Sequence, residues 1–450
     1  MTIEAIAQRA RKAAWELAAL DTETKNRALR AVRAALERSR VEISRANAAD
    51  KRDAEILVDS GQLSKALAKR LDIEGGKFDG ILSGVDDVIR LADPVGQVGY
   101  AMRLDHGLDL YRVSCPIGVL GVIFEARPDA AVQISTLALK SANAVILKGG
   151  REAERSNRAL VEAIQRGIAE VPGVPPGAVQ LISTREEVRE MLALDEWIDL
   201  IIPRGSNELV RSIKDSTRIP VLGHADGICA VYIDRAADAE RAAAVVVDSK
   251  AQYPAVCNAT ETLLVHREAL SRVLPELGRR LREAGVELRA DADSLPHLPG
   301  AIPSTEEDYG TEFLDLILAV KTVGSVEEAI DHINRHGSHH TDAIVTEDAK
   351  VAELFLSRVD SASVFHNAST RFADGFRYGL GAEVGVSTNK THARGPVGLD
   401  GLVIYKYRLY GHGQCVAQYA PGKRKFLHER IEAATPPSPQ APNEISPSRP

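Results

Sequence analysis

Cysteine is scarce in this chain, and the four residues present, Cys115, Cys229, Cys257 and Cys415, are scattered with no CxxC pair among them. That spacing argues against a zinc knuckle or a dithiol couple and fits a reducing, cytoplasmic setting. Long apolar runs are missing as well. None approaches the roughly 20 residues of a membrane span. The opening MTIEAIAQRARKAAWELAAL lacks the continuous apolar core of a signal peptide. Nor is basic charge in excess: the formal net charge is −7, and acids and bases interleave. Binding to nucleic acid draws on surplus cations that displace counterions, so this balance argues against such a partner.

What is present is an ordinary globular composition, 44% hydrophobic and 26% charged over 450 residues, with length enough for two or three domains. Ile3, Ile6, Ala10, Leu17 and Leu20 fall near helical spacing, as do Leu29, Val32, Leu36 and Ile43, with Asp21, Thr22 and Thr24 between them as caps. From Tyr111 short apolar runs alternate with helical ones: VLGVIF (119–124), AVILK (144–148), GVPPGAVQLI (173–182), IDLIIP (198–203) and ICAVYI (228–233). A second alternation follows Cys257, through ETLLVH, LILAVK, DAIVT and ASVFH. The pattern predicts two doubly wound α/β domains. The Pro/Ser-rich tail at 434–450 reads as disordered.

Two strand ends carry phosphate-binding chemistry. ILKGGRE places Lys148, Gly149, Gly150 and Arg151 between a strand and a helix, and IIPRGSNELV repeats the arrangement with Arg204, Gly205, Ser206 and Asn207. Glycine lets a ligand approach the backbone, and a helix start offers free N–H groups to a pyrophosphate. Neither stretch is GxGxxG or a P-loop, and each alone is equally an ordinary turn. Together, on strands of one sheet, they point to a site at the carboxyl ends. Cys257, between a helical and a strand-like run, is by position alone a packing residue, a metal ligand, half of a disulfide or a nucleophile.

CPIGVLGVIFEARPDAAVQISTLALKSANAVILKGGREA, QYPAVCNATETLLVH, GSHHTDAIVTED and NASTRFADGFRYGLGAEVGVSTNKTHARGPVGLDGL closely resemble the γ-glutamyl phosphate reductases, a branch of the aldehyde dehydrogenase superfamily, over the chain to about Tyr419. The resemblance implies a cofactor domain (1–106 and 125–246), a catalytic domain (247–395) and a small β flap for oligomerisation (107–124 and 396–415). It implies NADPH-dependent reduction of γ-glutamyl phosphate to glutamate-5-semialdehyde and phosphate, the second step of proline biosynthesis. The expected assembly is a homo-oligomer, with association with glutamate 5-kinase left open. Cys257 falls on the family's catalytic cysteine, Lys148 on the lysine that holds the adenosine ribose, and Glu312 on the glutamate at the nicotinamide ribose.

The chemistry suits these residues. A thiolate displaces phosphate to give a thioester, which accepts hydride better than a carboxylate does. Ordinary aldehyde dehydrogenases carry a glutamate base that hydrolyses the thioester; the corresponding VLGHADG (221–227) has none. Arg127 stands where the superfamily supplies an oxyanion asparagine. It is a stabiliser of the oxyanion or the departing phosphate, or else a structural partner of Glu125 or Asp129. Backbone N–H groups of Cys257 or Asn258 complete the oxyanion site. Arg371 is expected to bind the substrate carboxylate, with Asn367, Ser369 and Thr370 adding hydrogen bonds. Arg151, a cation where many NAD-preferring relatives carry an acid, favours the 2′-phosphate of NADP. The histidines of HGSHHTD (336–342) crowd a Gly/Ser turn without a helical i, i+4 pair, so no metal is expected.

Overall fold

The computed structural model describes residues 1–205, 207–224 and 226–432; Ser206 and the Pro/Ser-rich tail at 434–450 lie outside the described residues. Two parallel sheets organise them. The first runs Val179–Ile182, Ala144–Lys148, Val119–Phe124, Leu200–Arg204, with Val221 bridging Ile201 beyond its edge. Its central strands are apolar without alternation because helices cover both faces.

The cover includes Ile3–Leu17, which buries Ala7, Ala10, Ala14 and Leu17, and Thr22–Arg38, which buries Leu29, Val32 and Leu36. Asp21 caps the second by accepting from the Thr24 N–H at 2.7 Å. Thr22–Arg38 packs closely on Glu154–Ala169 at Gly167, where a Cβ would lie 2.6 Å from Val32 Cα. Any larger residue there would push the two helices apart.

The second sheet has seven strands in the order Ile302–Pro303, Glu287–Ala290, Ile317–Val323, Thr260–His266, Cys229–Ile233, Thr341–Val345, Ser363–His366, all parallel. Cys229–Ile233 therefore belongs here, and not with 125–246 as the sequence suggested. Its flanks pair with Thr260–His266 and Thr341–Val345, so the chain crosses between sheets before residue 229.

A third, antiparallel sheet runs Val403–Tyr410, Leu108–Pro116, Val98–Asp105, Glu429–Arg430. It differs from the expected flap at three places, one of them Glu429–Arg430, which lies beyond the expected 396–415. Val119–Phe124 is wholly buried and central to the first sheet, and Val98–Asp105, expected in the first domain, is a flap strand. Apolar content alone does not distinguish a strand between two helical layers from one in a projecting ribbon. Pairing partners decide it. Among the described residues, no helix is long and apolar enough to cross a membrane.

Candidate active site

Cys257 lies in the turn between the helix Ala239–Ala251 and the strand Thr260–His266, and it is partly exposed. The turn is held from all sides. Lys250 Nζ and Glu261 Oε2 meet at 2.5 Å across its base. Thr370 Oγ1 donates to the Asn258 carbonyl at 2.7 Å, and Asn258 Nδ2 donates to the Ala373 carbonyl at 2.8 Å. Gly227 packs so closely that a Cβ there would stand 2.3 Å from Cys257 Cα. Cys229 donates its thiol to the Cys257 carbonyl at 3.2 Å. Cys229 itself is buried, which pushes its thiol well above the ordinary range and leaves it a packing residue.

Two buried arginines interact electrostatically with Cys257. Arg371, only 8% exposed, donates Nε to Gln252 Oε1 at 3.0 Å, and its carbonyl accepts from Arg377 Nη1 at 2.8 Å. Burial pulls its guanidinium below the ordinary range, and the charge on Cys257 opposes that pull. Arg204, at the end of Leu200–Arg204, has a buried Nη1 with no hydrogen-bond partner. Burial and the like charge of Arg127 lower its affinity for the proton, while Glu383, Asp129 and Cys257 oppose them. Glu383 is raised by burial and accepts from the Gly375 N–H at 2.8 Å. Arg127 is exposed and paired with Asp129 at 3.0 Å, the structural pairing weighed above, yet its charge still reaches Arg204.

Two histidines complete the surroundings. His224 and His340 meet edge to face, ring centres 5.0 Å apart, and a ligand atom of each lies within 4.8 Å of the other and of the Cys257 sulfur. Sequence reasoning passed over both. His224 sits in the VLGHADG stretch that lacks a glutamate, and His340 in the HGSHHTD turn whose expected role is structural or substrate-adjacent. No local spacing links them; only the adjacency of Cys229–Ile233 to Thr341–Val345 brings them together.

The carboxyl ends of the first sheet form the neighbouring surface. Lys148 is in register with Ile123, and Arg204 with Phe124, so the two cations flank the central strand at one level. Gly149 and Gly150 make the turn beyond Lys148, and Arg151 starts the following helical turn, exposed. A Cβ at Gly149 would lie 2.0 Å from Asn157 Nδ2, and one at Gly205 would lie 2.4 Å from Glu125 Oε2. Both side-chain polar atoms of Asn157 are buried without a partner. Such orphaned atoms beside a glycine turn fit a polar ligand docking on the backbone there. Asn207 Nδ2 donates to Glu312 Oε2 at 2.9 Å and to Asp226 Oδ1 at 2.6 Å, which carries Glu312 across to the start of the helix Asn207–Ser216.

The residues expected to contact substrate divide. Arg371 is bonded through Nε to Gln252, five residues before the cysteine, and its charge interacts with Cys257. Thr370 is fully buried, and Ser369 is 5% exposed with its hydroxyl accepting from the Arg371 N–H at 3.2 Å. Asn367 adopts a left-handed φ of 54° and spends its amide on the Thr346 backbone, at 3.0 Å for each bond. These three build the turn that presents Arg371. Asn258 is likewise 6% exposed and spends its amide nitrogen on Ala373.

The aldehyde dehydrogenase family model matches residues 1–295. A γ-glutamyl phosphate reductase of Methanococcoides burtonii is 54% identical, covering 96% of this chain and 97% of its own length. One of Acetivibrio thermocellus is 52% identical, covering 97% of this chain and 100% of its own. The crystal structure of γ-glutamyl phosphate reductase from Thermotoga maritima superposes with a TM-score of 0.89 at 38% identity, covering 92% of this chain and 100% of that one.

Proposed function

The chain belongs to the aldehyde dehydrogenase family, in its γ-glutamyl phosphate reductase branch, and is an oxidoreductase. From that membership we propose that it reduces γ-glutamyl phosphate to glutamate-5-semialdehyde with release of phosphate, using NADPH and a thioester on Cys257. This is the second step of proline biosynthesis. The observation that carries the reading is the placement of Cys257: partly exposed, on a turn fixed at both ends, with the charges of Arg204 and Arg371 acting on it.

The Cys257 thiolate attacks the acyl carbon, the carbon–oxygen bond to phosphate breaks, and the phosphate leaves with the electron pair. Arg204, with its unpartnered Nη1, and Arg127, whose charge interacts with it, are the cations proposed to receive the departing anion. Arg371 holds the substrate carboxylate, and backbone N–H groups of the Cys257–Asn258 turn receive the carbonyl oxygen. The family uses nicotinamide cofactors. Lys148, Gly149, Gly150, Arg151, Gly205, Ser206, Asn207 and Glu312 are the residues that would hold one, with Arg151 selecting the 2′-phosphate. When bound, NADPH supplies the hydride that takes the thioester to the aldehyde level. Cys257 then leaves as the free thiolate. The stretch 221–227 holds no glutamate, and its one carboxylate, Asp226, is engaged by Asn207 and Arg211, which withholds it from activating water against the thioester.

The substrate is a small molecule supplied by glutamate 5-kinase. All four cysteines are unpaired, in keeping with a reducing cytoplasm. The protein assembles as a homo-oligomer through its antiparallel flap.

The test is NADPH oxidation coupled to glutamate 5-kinase, with native protein and Cys257→Ser side by side. Native protein should oxidise NADPH and release one phosphate per turnover, and the variant should do neither. Retained turnover in Cys257→Ser would sink the thioester. Failure on this substrate with good turnover on another aldehyde or acyl phosphate would sink the substrate.

A further inference from the structure

We infer that Cys257, His224 and His340 form a binding site for a thiophilic divalent cation of the Zn²⁺ class, and that its occupation reversibly shuts off the nucleophile. That Cys257 is the nucleophile rests on the reading above; the cation site itself rests on the three side chains.

The donors come from three separate segments: the connection after Val221, the turn before Thr260–His266, and the entry to Thr341–Val345. Their ligand atoms all lie within 4.8 Å of one another. Bonds of about 2.3 Å to sulfur and about 2.0–2.1 Å to imidazole nitrogen place tetrahedral ligands roughly 3.4 Å apart. Closing the difference takes small side-chain rotations.

The histidines are set for ligation. His224 Nδ1 faces the Val386 carbonyl at 3.0 Å. A carbonyl has no proton to give, so Nδ1 donates and Nε2 presents its lone pair. This is the outer contact that commonly orients a metal-bound imidazole. His340 is 1% exposed, and its Nε2 is buried with no hydrogen-bond partner, while its Nδ1 lies 2.8 Å from Thr341 Oγ1. An imidazole nitrogen buried and unmatched in this way loses its water on folding and gains nothing, unless a ligand takes it.

The donor set is one thiolate and two neutral imidazoles, with no carboxylate. That selects zinc-like ions over magnesium or calcium. Partial exposure of Cys257 and His224 leaves a fourth position to water. Arg204 and Arg371, whose charges interact with Cys257, oppose a dication and hold the affinity below that of a closed structural site. Coordination engages one of the sulfur's lone pairs and draws down its negative charge, so the bound sulfur attacks substrate and alkylating agent far more slowly than the free thiolate.

Metal-free full-length protein is titrated with Co²⁺ as an optical stand-in. One equivalent should develop thiolate-to-cobalt charge-transfer absorption, which Zn²⁺ bleaches and Cys257→Ser abolishes. Zn²⁺ should also protect Cys257 from iodoacetamide, with EDTA restoring alkylation. His224→Gln and His340→Gln should each raise the zinc concentration needed for protection by about tenfold or more, since even outer-shell losses cost 10–100-fold. His224→Gln alone decides the matter if the buried His340→Gln does not fold. Charge transfer that survives Cys257→Ser, or protection at the native zinc concentration in the folded histidine variants, overturns the site. Alkylation is read without turnover, so this result stands apart from the substrate test.

Discussion

Lys250 Nζ and Glu261 Oε2 lie 2.5 Å apart with neither side chain exposed to solvent. One residue closes the helix before the Cys257 turn and the other opens the strand after it, so the pair ties the two ends of the turn together. Burial drives each toward its neutral form, Lys250 down and Glu261 up, and their mutual attraction opposes this. Removing one partner strands the other. Lys250→Met should destabilise the protein by about 3–5 kcal/mol, and Lys250→Met with Glu261→Leu should recover most of that. Urea denaturation of the two variants checks it; equal loss in both would show that shape, and not charge, holds the turn.

Arg371 is the one expected substrate ligand whose guanidinium is not wholly spent on the protein. Arg371→Lys keeps the charge but loses the planar fork and the bond to Gln252. A loss of about 2 kcal/mol corresponds to roughly 30-fold in kcat/KM. Steady-state kinetics should show it mainly as a raised KM for the acyl phosphate, with KM for NADPH unchanged. Equal effects on both would place Arg371 in the scaffold.

Arg151 is exposed at the start of a helical turn, beyond Gly149 and Gly150. On the proposed NADPH reading, Arg151→Ala would remove a charge-assisted contact to the 2′-phosphate, a kind of contact worth about 1.5–3 kcal/mol. The ratio of kcat/KM for NADPH over NADH should fall about tenfold or more. An unchanged ratio would mean that discrimination lies elsewhere.

The strand runs at 144–148, 200–204 and 260–266 were legible because a strand covered on both faces is apolar throughout and bounded by turns. The motif around Cys257 marks it as the candidate nucleophile, and the structure places it partly exposed on the turn before Thr260–His266. Which sheet a strand joins was not: Cys229–Ile233 and Val119–Phe124 read alike, and only their partners separate them. Thr370 and Asn367 show a second limit. A polar residue beside a site reads as a ligand, but whether its hydroxyl or amide is already spent on backbone depends on contacts remote in sequence. His224 and His340 were missed for the same reason.

Tyr405, Tyr407 and Leu409 are exposed by 53%, 58% and 56% and share one face of the edge strand Val403–Tyr410. An apolar edge of this kind invites pairing with a second copy. Tyr407→Asp should shift the protein to a smaller species in light scattering while leaving its circular dichroism intact. A native protein that is already monomeric at micromolar concentration would remove the flap from the assembly.

His332 makes the fold sensitive to acid. It is 9% exposed, stacked on His336 at 4.5 Å and edge-on to Tyr309 at 5.5 Å. Burial, reinforced by His336, Lys321 and Arg335, holds its pKa down at about 3 against an ordinary 6.5. Between those values the unfolded chain binds the proton and the folded chain refuses it. Stability is therefore full above the ordinary value and declines as pH falls, by up to about 1.4 kcal/mol per pH unit from this group. His332→Phe keeps the ring and removes the titration. Urea midpoints at about pH 7.5 and about pH 5.5 should draw apart more for native protein than for His332→Phe, by roughly 1 kcal/mol. Parallel losses in the two proteins would assign the acid sensitivity to other groups.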